Sequence, residues 1–455
     1  MKEWTIRADG GGDRIGGSNY IEKDVCIDYG AIQDNKRISY PPMAREEIPL
    51  FILSHDHLDH CGGVPIFARE HPESKILMTQ TTYEGMLLQL RDSLKIMSVT
   101  AKNRTRRGLN PEQVVFDYRD VERLANRVEF VKNTDWFEPI PGYKMSFRSA
   151  GHKPGAVMIL MVCPDGTRVI HACDVSLDDQ ALVKGASVPS DFLEPDIMVV
   201  ESTYGDREIP DRHKEESKLI KIAKTVFKRG GKVVMPHFGS TMGNVAFPVA
   251  KAGLATYIDG MGRDFLSMYQ NTKPWCGEDK PFSLKDFPSL SFVNGGSPKG
   301  DMLVREELIQ QKGPVVIVST SGMLEGGPSV FYTEELIEDR RNASVVPGYQ
   351  ASGTQGRKMV QLQRGDQISF VHQDKFGEEK TVTKKILADV IQVKLSGHSG
   401  GDKMAKWIAQ INPKKVVTVH GEPSSHEGLK ERTHRLSKNI SFFSAKNGQT
   451  LEFAF

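Results

Sequence analysis

The residues with the clearest chemical potential form one stretch, Ser54-His55-Asp56-His57-Leu58-Asp59-His60-Cys61-Gly62-Gly63, directly after the apolar run Leu50-Phe51-Ile52-Leu53. A buried strand followed by a turn carrying three imidazoles and a carboxylate is a poor way to stabilise a fold and a good way to hold metal. His55 and His57 can face one cation while Asp59 and His60 face a second. Imidazole nitrogen and carboxylate oxygen suit zinc or a similar borderline ion, and a site short of protein ligands leaves a position for water. A histidine-rich surface turn is the bland alternative, but chance clustering of ligand types straight after a strand is uncommon.

Further candidates stand at or just after the ends of later predicted strands: His152, Asp174 and His420. The full set provides for two metals. The first takes His55, His57 and His152, and the second takes Asp59, His60 and His420, with Asp174 and a hydroxide between them. Two cations about 3.5 to 4 Å apart lower the pKa of a shared water and offset charge on a phosphoryl or acyl oxygen under attack. No serine or cysteine nucleophile is then needed. Asp28, closing a short strand before Tyr29-Gly30, is placed to orient a metal-bound histidine or water. His71, His213, His237, His372, His426 and His434 lack a strand-end setting and read as surface residues or, at most, substrate contacts.

The elements that must position these groups follow from periodicity. Residues 82–97 place Met86, Leu87, Leu90, Leu94 and Met97 on one helical face, a packing stripe. A second helix is expected over 111–128, with Pro111 in its first turn. Residues 10–17, rich in glycine, read as a tight hairpin because no helix follows them. Strands are expected at 145–148, 157–162, 168–173 and 196–200, the middle two paired around Pro164-Asp-Gly166.

From about residue 206 helices (214–228, 301–311, 329–341) alternate with short apolar strands (232–235, 255–258, 290–293, 315–319, 344–346), the pattern of a parallel α/β layer. Strands at 390–395 and 415–419 then lead into histidine loops at His398 and His420. The organisation expected is therefore α/β: a metal-binding domain over residues 1–205 and 390–455, interrupted by an insertion over 206–389.

At 455 residues the chain is too long for one small core. Its 60 basic and 58 acidic residues leave a net charge of +2, so overall charge does not announce a nucleic-acid binder. Arg104-Thr-Arg-Arg107 is the densest basic cluster and reads either as a flank to a polyanion path or as a solvated helix end. Apolar runs such as 157–162 are too short to cross a bilayer. With no charged start and apolar stretch typical of a leader, a cytoplasmic location is expected. The five cysteines, Cys26, Cys61, Cys163, Cys173 and Cys276, are odd in number and read as free thiols.

The HxHxDH turn, His152, Asp174, Glu201 in Glu201-Ser-Thr-Tyr-Gly205, His398 in Ser396-Gly-His-Ser-Gly-Gly401 and His420 in Val419-His-Gly-Glu422 together resemble the motifs of β-CASP nucleases of the metallo-β-lactamase superfamily. Thr320-Ser-Gly-Met-Leu-Glu-Gly-Gly-Pro328 and Gly348-Tyr-Gln-Ala-Ser-Gly-Thr-Gln-Gly-Arg357 extend the resemblance into the insertion, toward the RNA-cleaving relatives of the cleavage and polyadenylation specificity factor endonuclease and RNase J. The resemblance implies a metallo-β-lactamase αβ/βα sandwich with an inserted β-CASP domain. It also implies two zinc ions, with manganese a possible substitute, and single-stranded RNA as partner, with a homodimer or an RNA-processing complex possible.

It further implies that Asp59 and His398 are catalytic, His398 contacting the scissile phosphate and assisting the leaving group, with Glu201 as its orienter. Ser321, Gly322, Gly326 and Ser396 become RNA-binding candidates. Arg357 reads as a phosphate clamp or as half of a salt bridge within the inserted domain. The sequence departs from the family in two places. Pro236-His-Phe-Gly-Ser-Thr-Met-Gly-Asn244 stands where many relatives carry an arginine-containing stretch, and the KH domains of some archaeal relatives are not expected before Asp28.

The function expected is zinc-dependent hydrolysis of RNA phosphodiesters by a two-metal-activated hydroxide, as endonuclease, 5′–3′ exonuclease or both. The alternatives are a thioesterase- or lactonase-type hydrolase and an inactive RNA-binding scaffold. Because His398 and His420 lie far downstream of the opening turn, a chain truncated before Val390 is expected to lose all activity with residues 54–63 intact; RNA cleavage by such a chain would disprove the second metal's ligand set.

Overall fold

The computed structural model describes residues 2–34, 37–106, 108, 114–272, 275, 279–373 and 379–455. Two mixed sheets face each other. The first has seven strands, and its order along the sheet is Gln449–Ala454, Glu3–Gly10, Asn19–Glu22, Val25–Ile27, Leu50–Ile52, Lys75–Met78, Val128–Phe130. The second has six, in the order Ser441–Ser444, Lys415–Val419, Ile197–Glu201, Arg168–His171, Val157–Val162, Lys144–Ser149. Trp4, Ile6, Leu50, Ile52, Phe147, Val157, Val199 and Val417 fill the space between them.

Helices cover both outer faces. Val64–Glu70, Gln80–Arg106 and Tyr118–Ala125 cover the first sheet, burying Phe67, Met86, Leu90, Leu94 and Leu124. Gly401–Ile411 covers the second, burying Met404, Trp407 and Ile408. The result is an αβ/βα sandwich. A third sheet, all parallel, comprises Leu290–Phe292, Thr256–Asp259, Val316–Ser319, Val233–Pro236, Ala343–Pro347 and Asp389–Val393 in that order, with apolar clusters against its helices. The α/β layer expected from residue 206 onward is this sheet.

The chain directions explain where chemistry can gather. Leu50–Ile52 runs parallel to its two neighbours, and Arg168–His171, Ile197–Glu201 and Lys415–Val419 run parallel to one another. Lys144–Ser149 shares their direction, since both it and Arg168–His171 are antiparallel to Val157–Val162. The loops after these strands therefore leave the sheets at one edge, the usual place for a site in such folds.

Several local expectations need correcting. The helix expected over 111–128 is Tyr118–Ala125, because Asp117 accepts from the Arg119 and Asp120 amides and caps it there; Val128–Phe130 is an edge strand, and Pro111 lies outside the described residues. The glycine run is not a tight hairpin. Residues 11–18 form a wide loop whose Gly11 carbonyl accepts from the His420 amide and whose Gly16 lies against Asp59. The strand at Asp389–Val393, expected with the C-terminal return, pairs in parallel with Ala343–Pro347 and closes the inserted sheet. Cys26, Cys61, Cys163 and Cys173 are free and buried, and Cys276 and Arg107 lie outside the described residues. No helix among the described residues is long and apolar enough to cross a membrane.

Backbone hydrogen bonds seat one side of the metal-type turn. The Tyr29, Ala31 and Ser18 amides donate to the carbonyls of His60, Leu58 and Asp59 at 2.9, 2.9 and 2.8 Å. Gly30 sits so close beneath the turn that a Cβ there would stand 1.7 Å from the Asp59 carbonyl oxygen. Gly30→Ala is therefore expected to destabilise the protein by about 3 kcal/mol, the upper end of ordinary overpacking costs. A urea midpoint equal to that of the wild type would show that the turn is free to move.

Candidate functional site

Each chemical candidate is delivered by a strand end. His55, His57, Asp59 and His60 follow Leu50–Ile52; His152 follows Lys144–Ser149; Asp174 follows Arg168–His171; His420 follows Lys415–Val419. Three residues at these ends, Asp28, Cys173 and His420, adopt left-handed backbone with φ of 61°, 53° and 49°. That conformation is costly for residues other than glycine and persists only where the surroundings impose it. Here the Asp28 amide donates to the Ile52 carbonyl at 3.0 Å and that of His420 to Gly11 at 2.7 Å.

The side chains converge in two groups. In the first, His57 Nδ1 lies 3.1 Å from His55 Nε2 and 3.0 Å from His152 Nε2, while Asp174 Oδ2 is 3.7 Å from both His55 Nε2 and His152 Nε2. In the second, His420 Nε2 is 3.5 Å from Asp59 Oδ2, and His60 Nε2 is 4.0 Å from the same atom. Asp174 Oδ2 also reaches His60 Nε2 at 3.4 Å, so this carboxylate lies between the groups. A third set joins Asp174, Glu201 and His398; His398 Nδ1–H donates to Glu201 Oε1 at 2.7 Å, and its Nε2 is 3.9 Å from Asp174.

The donor chemistry fits a cation. Three imidazole nitrogens that face one another about the same point cannot all be protonated, and Asp174 Oδ1 is buried without a hydrogen bond among the described residues. Burial and then the neighbouring His60 and His57 depress the pKa of His55, burial and then Lys153 and His152 depress that of His57, and burial followed by the nearby His398 brings His152 to about 4. Neutral imidazole is the form that ligates metal. Burial would raise Asp174, but His420, His60 and His398 outweigh it and hold the carboxyl well below its usual range. In His398 burial is outweighed by the Glu201 and Asp174 carboxylates, which lift its pKa to about 9. His55, His57, His152 and Asp174, and separately Asp59, His60 and His420, each present donor atoms within 4.8 Å of one another and can hold a metal ion.

Behind the donors lies a second layer of hydrogen bonds. Asp28, fully buried, accepts from the Ser54 amide at 2.8 Å, the Ser54 hydroxyl at 2.7 Å and His60 Nδ1–H at 2.7 Å. Ser54 Oγ is 3.0 Å from His55 Nδ1, Thr203 Oγ1 is 3.2 Å from His420 Nδ1, and His152 Nδ1–H donates to the Gly397 carbonyl at 2.8 Å. Such partners orient ligating imidazoles and raise their basicity. Glu201 is itself fixed by the Val175 and Thr203 amides.

Not every candidate joins the cluster. The Ser321 amide is already donated to the Gly326 carbonyl, Gly322 is buried beneath the Gln350 amide, and the Ser396 hydroxyl accepts from the His398 amide at 3.0 Å. Gly326 and Arg357 are exposed. His237 and His426 are not surface residues: both are buried, and His426 Nδ1 hydrogen-bonds to Thr418 Oγ1 at 2.6 Å, bracing the strand that carries His420. His71 stacks on Phe67.

Other buried charges have no counterpart in the sequence reading. His171 pairs with Glu22 at 2.6 Å across the sandwich, with both side chains fully buried. Lys153, adjacent to His152, pairs with Asp56 inside the HxHxDH turn, both shielded from solvent. A charged residue at the inner position of a turn that follows a buried strand is the signal by which this second pair could have been found.

Comparison with known proteins agrees with the geometry. Residues 249–359 match the Beta-Casp domain, and residues 383–442 match the Zn-dependent metallo-hydrolase RNA specificity domain. Over these two segments the chain carries domains of the β-CASP metallo-β-lactamase family. It is 28% identical over 428 residues to the transcription termination factor FttA of Methanocaldococcus jannaschii, covering 88% of this chain and 63% of that protein, so it spans somewhat less than two thirds of that relative. It is 26% identical over 466 residues to RNase aCSPSF2 of Saccharolobus solfataricus, covering 98% and 85%. With the cleavage and polyadenylation specificity factor subunit 3 of Dictyostelium discoideum it shares 25% identity over 431 residues, covering 90% and 51%. The crystal structure of a protein of unknown function from Enterococcus faecalis V583 has the same fold, with a TM-score of 0.55 and 12% identity over 99% of this chain and 100% of that one.

The buried Lys153–Asp56 pair ties the His152 loop to the His55–His57 turn. Asp56→Ala leaves an unpaired buried ammonium, and a loss of about 3–5 kcal/mol is expected. The double replacement Asp56→Leu with Lys153→Met should recover most of that loss. Chemical denaturation of both variants checks this, and equal midpoints would argue against it.

Proposed function

We propose that this chain is a zinc-dependent ribonuclease that hydrolyses RNA phosphodiester bonds at the histidine–aspartate cluster where the sandwich meets the inserted domain, in RNA processing or decay. The observation that carries the reading is the position of His398: its Nε2 stands beside Asp174, between the two donor groups, while Glu201 holds its Nδ1. A site for thioesters or lactones has no evident need for a histidine so held, and the match to an RNA specificity domain over residues 383–442 includes it.

The first zinc is assigned to His55, His57 and His152, the second to Asp59, His60 and His420, with Asp174 shared; manganese is a possible substitute. Bound there, the two ions supply an activated water and neutralise charge on the phosphoryl group. The residues of the chain do the rest. Asp28, Ser54 and Thr203 keep ring nitrogens directed inward. Glu201 keeps His398 protonated and fixed in orientation, so that its Nε2–H can donate to the departing ribose oxygen. The expected products carry 3′-hydroxyl and 5′-phosphate ends. Arg357 and Gly326, exposed on the inserted domain, are assigned to RNA phosphates. The partner is single-stranded RNA, and endonuclease and 5′–3′ exonuclease action are both compatible with the scaffold.

Two measurements test the reading. His398→Ala, still folded, should lose at least about 100-fold in cleavage of single-stranded RNA, the lower range for loss of a general acid, and Asp59→Ala, which removes a ligand assigned to the second metal, should also lose activity; wild-type rates in either would overturn the assignment. RNA labelled at its 5′ end and bearing a monophosphate or a triphosphate separates the two modes. Mononucleotide released only from the monophosphate marks an exonuclease, and internal fragments from both mark an endonuclease.

A further inference from the structure

One candidate imidazole draws its orienting partner from a different place than the rest. His55 is held by Ser54, His60 by Asp28, His420 by Thr203 and His152 by the Gly397 carbonyl, all outside the parallel sheet and its helices. His57 turns Nδ1 toward His55 and His152 and directs Nε2 to Ser240 Oγ, 3.1 Å away. Ser240 belongs to the inserted domain, in the Gly239–Thr241 turn that follows the Val233–Pro236 strand, and is only 2% exposed.

The turn is built to hold this hydroxyl in place. Tyr269 OH donates to the Ser240 carbonyl at 3.1 Å from the Gly262–Asn271 helix. A Cβ on Gly239 would stand 3.2 Å from Phe265 of the same helix, and one on Gly262 would stand 2.1 Å from the Met242 sulfur, so turn and helix are in close contact. From the other side Lys153 Nζ stands 5.4 Å from the Phe265 ring centroid, and Asn244 shares the Gln180 side-chain carbonyl with Arg212 while Gln180 binds the His152 carbonyl at 2.7 Å. The inserted domain is therefore seated on both loops that carry the first metal's candidate ligands.

We infer that Ser240 is a positioning residue for the first metal, and that occupancy of that position and seating of the inserted domain are thermodynamically linked. Resting as it does on the metal reading above, the inference adds a direction of control. With its Nε2–H directed to Ser240, His57 presents Nδ1 to the cation in a fixed orientation; when the inserted domain lifts, the ring loses that partner and the first metal is held less tightly. Linkage is reciprocal, so metal at this position favours the seated domain.

The test uses the full chain and two readouts that do not depend on turnover: zinc retention against a graded chelator and amide hydrogen exchange over residues 237–244. In the wild type two zinc ions should be held, and loading should slow exchange across this segment. Ser240→Ala should release one of the two ions at about 10–100-fold lower chelator concentration, the range for loss of an outer hydrogen bond to a ligating histidine, and zinc should no longer slow exchange. Ser240→Thr, which retains the hydroxyl, should restore retention. Tyr269→Phe, which frees the turn without removing the Ser240 hydroxyl, should shift retention in the same direction and keeps the test open if Ser240→Ala does not fold. A wild type that binds two ions alongside a Ser240→Ala protein that binds both equally tightly would overturn the linkage and leave the metal reading standing. A wild type that binds no zinc, or a His57→Ala protein that retains both ions, would overturn the metal reading and the linkage with it.

Discussion

Bringing carboxylates and imidazoles together at a buried sheet edge is unfavourable unless each group is paired or fixed, and much of this molecule is arranged around that constraint. Asp28 is its clearest expression. Fully buried and in left-handed backbone, it accepts three hydrogen bonds from Ser54 and His60 and so fixes the entry to the turn and one of its rings together. Glu201 does the same for His398, and Asp174 is held ionised by the histidines around it. Each polar group thus has its place in a network whose remaining attraction is for a cation.

The second consequence concerns the insertion. A domain added after the metal-type strands could have stood apart from them, joined by a flexible linker. Instead Arg212, at the start of its first helix, donates to the Ser396 carbonyl and to Gln180, while Asn244 donates to Gln180 and Ser240 meets His57. These contacts reach the loops of His152, His398 and His57. They cross between domains where buried polar groups must be satisfied, so separating the two bodies would expose or orphan several of them at once.

Much of the fold was legible in one dimension. The strands of the inserted sheet are short apolar runs between amphipathic helices, and all five predicted between residues 232 and 346 fall on observed strands. The readings that failed did so where tertiary context overrode local pattern. The glycines of residues 10–17 look like a hairpin turn, yet their freedom is used to bring the loop against Asp59 and His420. His237 and His426 look like solvent histidines because nothing local marks them as buried. The 390–395 run, followed by a histidine loop, reads as the start of the C-terminal return, yet it pairs with Ala343–Pro347 in the inserted sheet.

The chemical groups and their order are already set along the chain: ligand types at strand ends, and histidines beyond the insertion for a site begun before it. Spacing carries that information because a strand end projects its next residues from a sheet edge whatever the rest of the chain does. Which nitrogen faces which neighbour, which carboxylate lies between the groups, and which serine holds His57 were decided only in three dimensions. Those contacts join residues as far apart as Asp59 and His420 or His57 and Ser240. Their distances depend on how two sheets and an inserted domain pack, and no local spacing encodes that.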